Sequence, residues 1–256
     1  MTNLCNTLND LSKDIFDWIS AQSAVKEESL TDWFLYELSK RERKVFYRGF
    51  TRHEESWYSG ADWDWVFVFN DGVVRLRVQA KRLRAKNNQP DILRSKDGVR
   101  QIDLLIKSAL RKRSYPLYAF YTSDRSATLC QDSVAGPQGA YLSGAFSVLA
   151  NLASAKAKVL PKDALAISYP LPCIVCCPIA ASTGSARSLI GQIHRYFGTP
   201  VIDQLGQGEN LGYQQDIPPF VKELLDSNGE VSDQWEEKFA RELEETSALV
   251  VVDARG

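Results

Sequence analysis

The chain predicts an α/β fold of the α+β kind, with a mixed sheet flanked by helices, and three observations carry that prediction. Apolar residues recur at helical spacing over 8–21, 25–41 and 98–113. Runs rich in aromatic and β-branched residues occupy 44–51, 62–69, 73–82 and 116–121, and these read as strands. The middle two runs meet across Asn70-Asp71-Gly72, a turn sequence suited to a tight hairpin.

In chain order, the first helix carries Leu8, Leu11, Ile15, Trp18 and Ile19 inward. The second places Leu30, Phe34 and Leu38 on one stripe, with Glu28 near its start. KVFYRGFT follows as a strand, and the polar RHEESWYSG then breaks at Ser59-Gly60 before the hairpin. After the hairpin comes a polar loop containing Pro90, then a helix with Ile102, Leu105, Ile106 and Ala109 inward. Its cationic end suits the negative pole of the helix dipole. PLYAFY, 116–121, closes the series, so residues 25–122 read as helix, three strands, helix, strand.

Beyond that point the pattern weakens. Residues 139–155 are small and apolar and predict a buried helix; 171–179, LPCIVCCPI, predict a short buried strand between prolines. A helix is expected at 184–197 and a Gly- and Gln-containing loop at 199–219. Another helix at 231–246 would align Trp235, Phe239 and Leu243, and the final run ALVVVDA predicts an edge strand. With no internal repeat or low-complexity linker, a single domain is expected. Residues 1–125 would form its core, and 126–256 a mainly helical elaboration packed on it.

The chain has 256 residues, 44% apolar and 25% charged, which is ordinary for a globular protein with ample core. No apolar run reaches transmembrane length, and MTNLCNTLNDLSKD lacks a cationic-then-apolar signal, so a cytoplasmic protein with no membrane partner is expected. Five cysteines, an odd count, then predict reduced thiols. The net charge of −1 hides a segregation. Residues 73–113 hold 13 Lys or Arg against three Asp, whereas 203–256 hold 13 Asp or Glu against four Lys or Arg. The basic block starts inside the hairpin, which points to a phosphate-rich partner, with nucleic acid first.

Side chains alternate faces along a strand, so Asp62 and Asp64 share a face, as do Gln79 and Lys81. Trp63 and Trp65 fall on the opposite face and are expected in the core. The hairpin can therefore gather carboxylates, an amide oxygen and an ammonium. That is equipment for holding a divalent metal and cutting a phosphodiester.

The order of elements, with an acid on the second strand and a Gln-x-Lys pair on the third, resembles the PD-(D/E)xK nuclease superfamily over residues 25–122. The resemblance implies a restriction-endonuclease-like αβββαβ core. Asp62 matches the family's first aspartate and Lys81 its lysine, while Gln79 stands where a carboxylate is usual. The Gln-x-Lys form is similar to the Mrr-like restriction endonuclease branch, in which an acid on the first helix recurs; Glu28 matches it. Glu28 also reads as an acid that simply stabilises a helix start.

The resemblance implies Mg²⁺, with Mn²⁺ able to substitute, held by Asp62, Gln79 and Glu28. Lys81 would orient the attacking water or stabilise transition-state charge. Asp64, Glu55 and Gln101 are accessory candidates, and Arg82, Arg84, Arg94, Arg100 and Lys107 are candidates for phosphate contact. It further implies an endonuclease acting on double-stranded DNA as a homodimer, in a prokaryotic restriction or antiphage system with a partner or activating ligand. Two alternatives stay open: a nuclease-fold binding module that no longer cuts, and an RNA-directed nuclease. Cys173-x-x-Cys176 with Cys177 has zinc-like spacing, but no second CxxC follows and His53 and His194 are the only histidines. Buried reduced thiols are expected there in preference to structural zinc.

Overall fold

Two helices open the chain, α1 (Thr2–Ala21) and α2 (Glu27–Arg41), and both turn apolar stripes inward. Leu4, Leu8, Leu11, Ile15 and Ile19 of α1 are buried, as are Leu30, Phe34, Leu35 and Leu38 of α2. The computed structural model describes residues 2–50, 60–84, 95–96, 99–130, 136–152, 160–176, 184–198 and 210–255. The helices lie against strands β1 (Val45–Gly49), β2 (Trp63–Phe69) and β3 (Gly72–Arg82). A two-residue pair, β4 (Ser95–Lys96) with β5 (Val99–Arg100), leads into α3 (Gln101–Arg111) and then β6 (Tyr115–Tyr121). The expected order of helix, three strands, helix and strand is therefore present between α2 and β6, with the short β4–β5 pair added before α3.

The rest of the chain supplies β7 (Ala140–Gly144), α4 (Ala145–Asn151), α5 (Pro161–Leu165), β8 (Tyr169–Pro170), α6 (Cys173–Cys176) and α7 (Ala186–Phe197). It ends with β9 (Tyr213–Gln214), α8 (Pro219–Asp226), α9 (Asp233–Lys238), α10 (Ala240–Leu243) and β10 (Ala248–Asp253). Among the described residues, eight strands form one mixed sheet in the order β1-β10-β2-β3-β6-β7-β8, with β9 pairing the start of β3. β2 and β3 are antiparallel, with Phe69 opposite Gly72, whereas β3 and β6 are parallel through the α3 crossover. The turn requires glycine at 72: its φ is 141°, and a Cβ there would lie 2.5 Å from the Gln214 carbonyl oxygen.

Both faces of β2 and nearly all of β3 are buried, so the polar residues the hairpin carries, Asp64, Arg75, Arg77, Gln79 and Lys81, are buried with it. On one face Trp63, Trp65, Phe67, Val74, Leu76 and Val78 join the core made with α1, α2 and α7. On the other, Val66, Val68 and Val73 meet Phe220, Val221, Trp235, Phe239 and Leu243 from α8–α10. Further along that second face, Tyr118 and Phe120 pack with Ile102 and Leu105 of α3 and Val148 of α4.

Several expectations for the second half are corrected. Residues 139–155 are not one helix: 140–144 pair with β6 as β7, and α4 begins only at Ala145. The break falls at Gly144, where a Cβ would lie 2.0 Å from the Phe197 carbonyl oxygen. LPCIVCCPI is not a strand over its described part; Pro172 starts a single helical turn, Cys173–Cys176, after the short β8. The helix expected at 231–246 is broken at Phe239 (φ −109°, ψ 22°), yet Trp235, Phe239 and Leu243 still meet in one cluster. ALVVVDA is not an edge strand. It enters the sheet between β1 and β2, antiparallel to the first and parallel to the second.

The cysteines also differ from expectation. Cys5 on α1 and Cys176 on α6 form a disulfide across 171 residues of sequence, with Cα atoms 5.1 Å apart. Cys130 and Cys173 are thiols with sulfurs 3.5 Å apart, and Cys177 lies outside the described residues. No helix among the described residues is long and apolar enough to cross a membrane.

Candidate functional site

Asp62 stands one residue before β2, and its backbone N–H donates to the Val78 carbonyl at 2.8 Å, which extends the hairpin pairing to this position. Its approach depends on Gly60, whose φ is 67° and whose missing Cβ lets the chain lie against the Gln101 carbonyl and Leu105 amide at the start of α3. Asp62 Oδ2 accepts from the Ala80 backbone N–H at 2.7 Å and from the Gln79 amide nitrogen. Gln79 Nε2 also donates to the Ala80 carbonyl at 3.1 Å, and Gln79 Oε1 accepts from Gln101 Nε2 at 2.9 Å. A chain of amides thus runs from α3 through β3 to Asp62.

Lys81 lies two residues further along the same face and is buried. Its partner comes from α2: Lys81 Nζ lies 3.3 Å from Glu27 Oε1, while Glu27 Oε2 accepts the Arg82 backbone N–H at 2.6 Å. Burial raises the Glu27 pKa, and the Asp62 carboxylate raises it further, against the lowering effect of Lys81 and the Arg82 N–H. Two acids are thus held close enough to repel, with the single ammonium of Lys81, paired to Glu27, set against their two carboxylates.

A cleft of about 180 Å³ opens beside this group, lined by Glu27, Glu28, Thr31, Asp32, Tyr47 and Asp62 together with Ser247 and Ala248. Glu28 does reach the site, as expected from its position on the first core helix, but it lines the cleft while Glu27 meets Lys81. Helical spacing carried that signal: Glu27 is on the stripe of Leu30, Thr31, Phe34 and Leu38, all buried. Both acids sit in the first turn of α2, where the helix dipole favours negative charge.

Asp64 does not join the cleft. It is buried in an ion-pair cluster, 3.2 Å from Arg77 Nε and 4.0 Å from Arg75. Arg77 also lies 3.7 Å from Glu245 and donates to its backbone carbonyl at 2.8 Å, and Arg111 pairs with the same carboxylate. Period-two alternation put Asp62 and Asp64 on one face correctly, but Arg75 and Arg77 occupy the next stretch of that face and claim Asp64.

The basic candidates divide. Arg84 and Lys107 are exposed. Arg82 is half-buried, its guanidinium donating to the Tyr121 carbonyl at 3.1 Å and to Leu83 O; burial, helped by Arg84, pushes its pKa down to about 10. Arg100 is held bidentately by Asp103 at 2.7 and 2.8 Å. Arg94 and Glu55 lie outside the described residues.

No three His, Cys, Asp or Glu side chains among the described residues gather as a ready metal chelate. The pair that would accept a hard cation is Glu27 with Asp62, since a positive charge would offset their repulsion. Gln79 turns its amide nitrogen to Asp62 and its oxygen to Gln101, so in this arrangement it positions the aspartate. No curated protein matches the chain. A family model, described as a family of unknown function (DUF6615), matches residues 4–255, so the chain belongs to that family.

Proposed function

We propose that the protein is a metal-dependent endonuclease that hydrolyses phosphodiester bonds, with DNA as its substrate. The observation that carries this reading is the convergence of Asp62, Gln79, Lys81 and Glu27 at one end of a buried hairpin beside an acidic cleft. Asp62 and Glu27 would hold Mg²⁺ or Mn²⁺, and the cation, when bound, would polarise the phosphoryl oxygen and acidify water. Gln79, fixed by Gln101, keeps Asp62 in one orientation. Lys81 would place a positive charge near the phosphoryl oxygens, where negative charge develops in the transition state, and its burial strengthens that interaction. Arg84 and Lys107 would contact backbone phosphate without reading bases.

The resemblance to the Mrr-like branch suggests a cytoplasmic restriction or antiphage setting, with a partner or activating ligand. One site cuts one strand, so duplex breakage would call for two copies. A second reading, a binding module that does not cut, draws on a specific observation: Lys81 is engaged by Glu27 and Gln79 shows nitrogen to Asp62. Plasmid DNA incubated with Mg²⁺, Mn²⁺ or EDTA, beside Lys81→Ala and Asp62→Ala variants, separates the two. Nicking that needs metal and both residues supports the enzyme, whereas nicking that survives EDTA or both substitutions sinks the site assignment. Binding without cutting in either metal favours the module. Single-stranded DNA and RNA offered in parallel test the substrate.

A further inference from the structure

The described cysteines meet at one turn of the chain. Cys173 and Cys176 stand at the two ends of α6, and each faces a sulfur from a distant segment. Cys176 is bonded to Cys5 of α1, and Cys173 Sγ lies 3.5 Å from Cys130 Sγ. The Cys-x-x-Cys spacing therefore serves two sulfur pairs, one closed and one open. The backbone beside the open pair is tied down on both sides. Leu129 donates its N–H to the Ser168 carbonyl at 3.0 Å, and Leu171 donates to the Ala140 carbonyl of β7 at 2.9 Å. Cys130 and Tyr169 both pack on Cys173. Bond formation asks the two sulfurs to approach by about 1.5 Å, from contact to the length of a disulfide.

The two thiols differ in access. Cys130 is partly exposed, whereas Cys173 is buried with 6% exposure. A reagent in solution meets Cys130 first, and Cys173 reacts only with what Cys130 has become. We infer that Cys130 and Cys173 are a modification site, a dithiol that a small-molecule disulfide of the glutathione kind oxidises to a second protein disulfide. The Cys130 thiolate attacks one sulfur of the external disulfide, forming a mixed disulfide and expelling the first thiolate. That thiolate takes up the Cys173 proton. The Cys173 thiolate then attacks the Cys130 sulfur and expels the second thiolate, which is protonated from water. The protein gives up two electrons and two protons, and the external disulfide leaves as two thiols.

The bond would span 43 residues of sequence and clamp α6 on both sides, to α1 through Cys176 and to the segment after β6 through Cys173. In a reducing compartment such bonds are mostly transient and redox-sensing, which suits a pair held open in contact. The inference stands apart from the nuclease reading, since no residue of the cleft takes part.

The test treats wild type with oxidised glutathione, alkylates the remaining thiols and maps bonds by mass spectrometry of the unreduced digest. Cys130→Ser and Cys173→Ala are carried alongside. Wild type should lose two thiols beyond the Cys5–Cys176 bond, yield a Cys130–Cys173 peptide pair without retained glutathione, and melt at a higher temperature. Reduced glutathione should reopen the pair. Cys173→Ala should stop at the mixed disulfide with one glutathione on Cys130, and Cys130→Ser should take up none at Cys173. The wild-type digest reads the bond directly, so the result does not depend on either variant folding. A wild type that retains glutathione on Cys130 overturns the inference, as does a bond from Cys130 to Cys177. So does a wild type that keeps both thiols in excess oxidised glutathione, or that carries zinc and loses none.

Discussion

Glu27 and Lys81 are 54 residues apart in the chain and 3.3 Å apart in the fold. The pair joins the start of α2 to the last residues of β3, and Glu27 fastens the strand a second time through the Arg82 backbone N–H. Replacing Glu27 with Gln should leave Lys81 buried without its counter-charge and remove one of two cation-binding carboxylates. Nicking should fall at least tenfold and Mn²⁺ affinity should weaken, with Glu28→Gln milder in both assays. Equal losses in the two variants would show that the ion pair does not organise the site.

The same residue gives a pH dependence. The folded pKa of Glu27 lies above its unfolded value, chiefly through burial, so the folded state holds this proton more tightly. Its contribution to stability is full below the unfolded pKa and is lost as pH rises through the folded pKa. Urea midpoints of wild type and Glu27→Gln, taken across the acid range, should therefore differ in slope in that window, with the variant flatter. Parallel curves would refute the raised pKa.

Asp64→Asn should act on stability. It leaves the buried Arg77 and Arg75 without their shared carboxylate, a loss of about 3–5 kcal/mol. The urea midpoint should drop with its slope unchanged, while each folded molecule cuts at the wild-type rate. A selective loss of cutting with normal stability would return Asp64 to the site.

Gly60→Ala tests how the hairpin is held to α3. A Cβ would lie 2.7 Å from the Gln101 carbonyl oxygen and 2.8 Å from the Leu105 amide nitrogen, at a φ of 67°. The left-handed conformation alone costs about 1–2 kcal/mol, and the contact adds to it. Melting should fall, and cutting should fall with it because Gln101 is displaced from Gln79. An unchanged melting temperature would mean that α3 can retreat freely.

Reducing the Cys5–Cys176 bond should lower stability by about 2–4 kcal/mol, because it closes a long loop between α1 and α6. Cys5→Ser should show the same loss and no further response to reductant. A wild-type melting curve unaffected by reductant would place these sulfurs outside any stabilising bond.

The legible parts of the fold were the local ones. The β2–β3 hairpin, its Asn70-Asp71 turn and the α3 crossover all follow from patterns within about twenty residues, as periodicity requires. Asp62, Gln79, Lys81 and Gln101 come together for the same reason, since a hairpin and the next helix bring them there. Glu27 was harder, because two adjacent acids differ only in which one falls on the buried stripe. Asp64 was misplaced because strand alternation gives the face but not the competitor, here Arg77. The Cys5–Cys176 bond and the interior place of β10 depend on pairings across most of the chain, for which a single sequence carries no periodic signal.

β10 sets a timetable for the ribosome. β1 is made early but has no neighbour in the sheet until residues 248–253 arrive between it and β2. The cleft is in the same position, since Ser247 and Ala248 line it together with Glu27 and Asp62. A nascent chain can build the hairpin and α3 as it emerges, but long-range closure comes last and slowly. Whatever the cleft does, it is withheld during synthesis, and a half-made copy has no finished site to use.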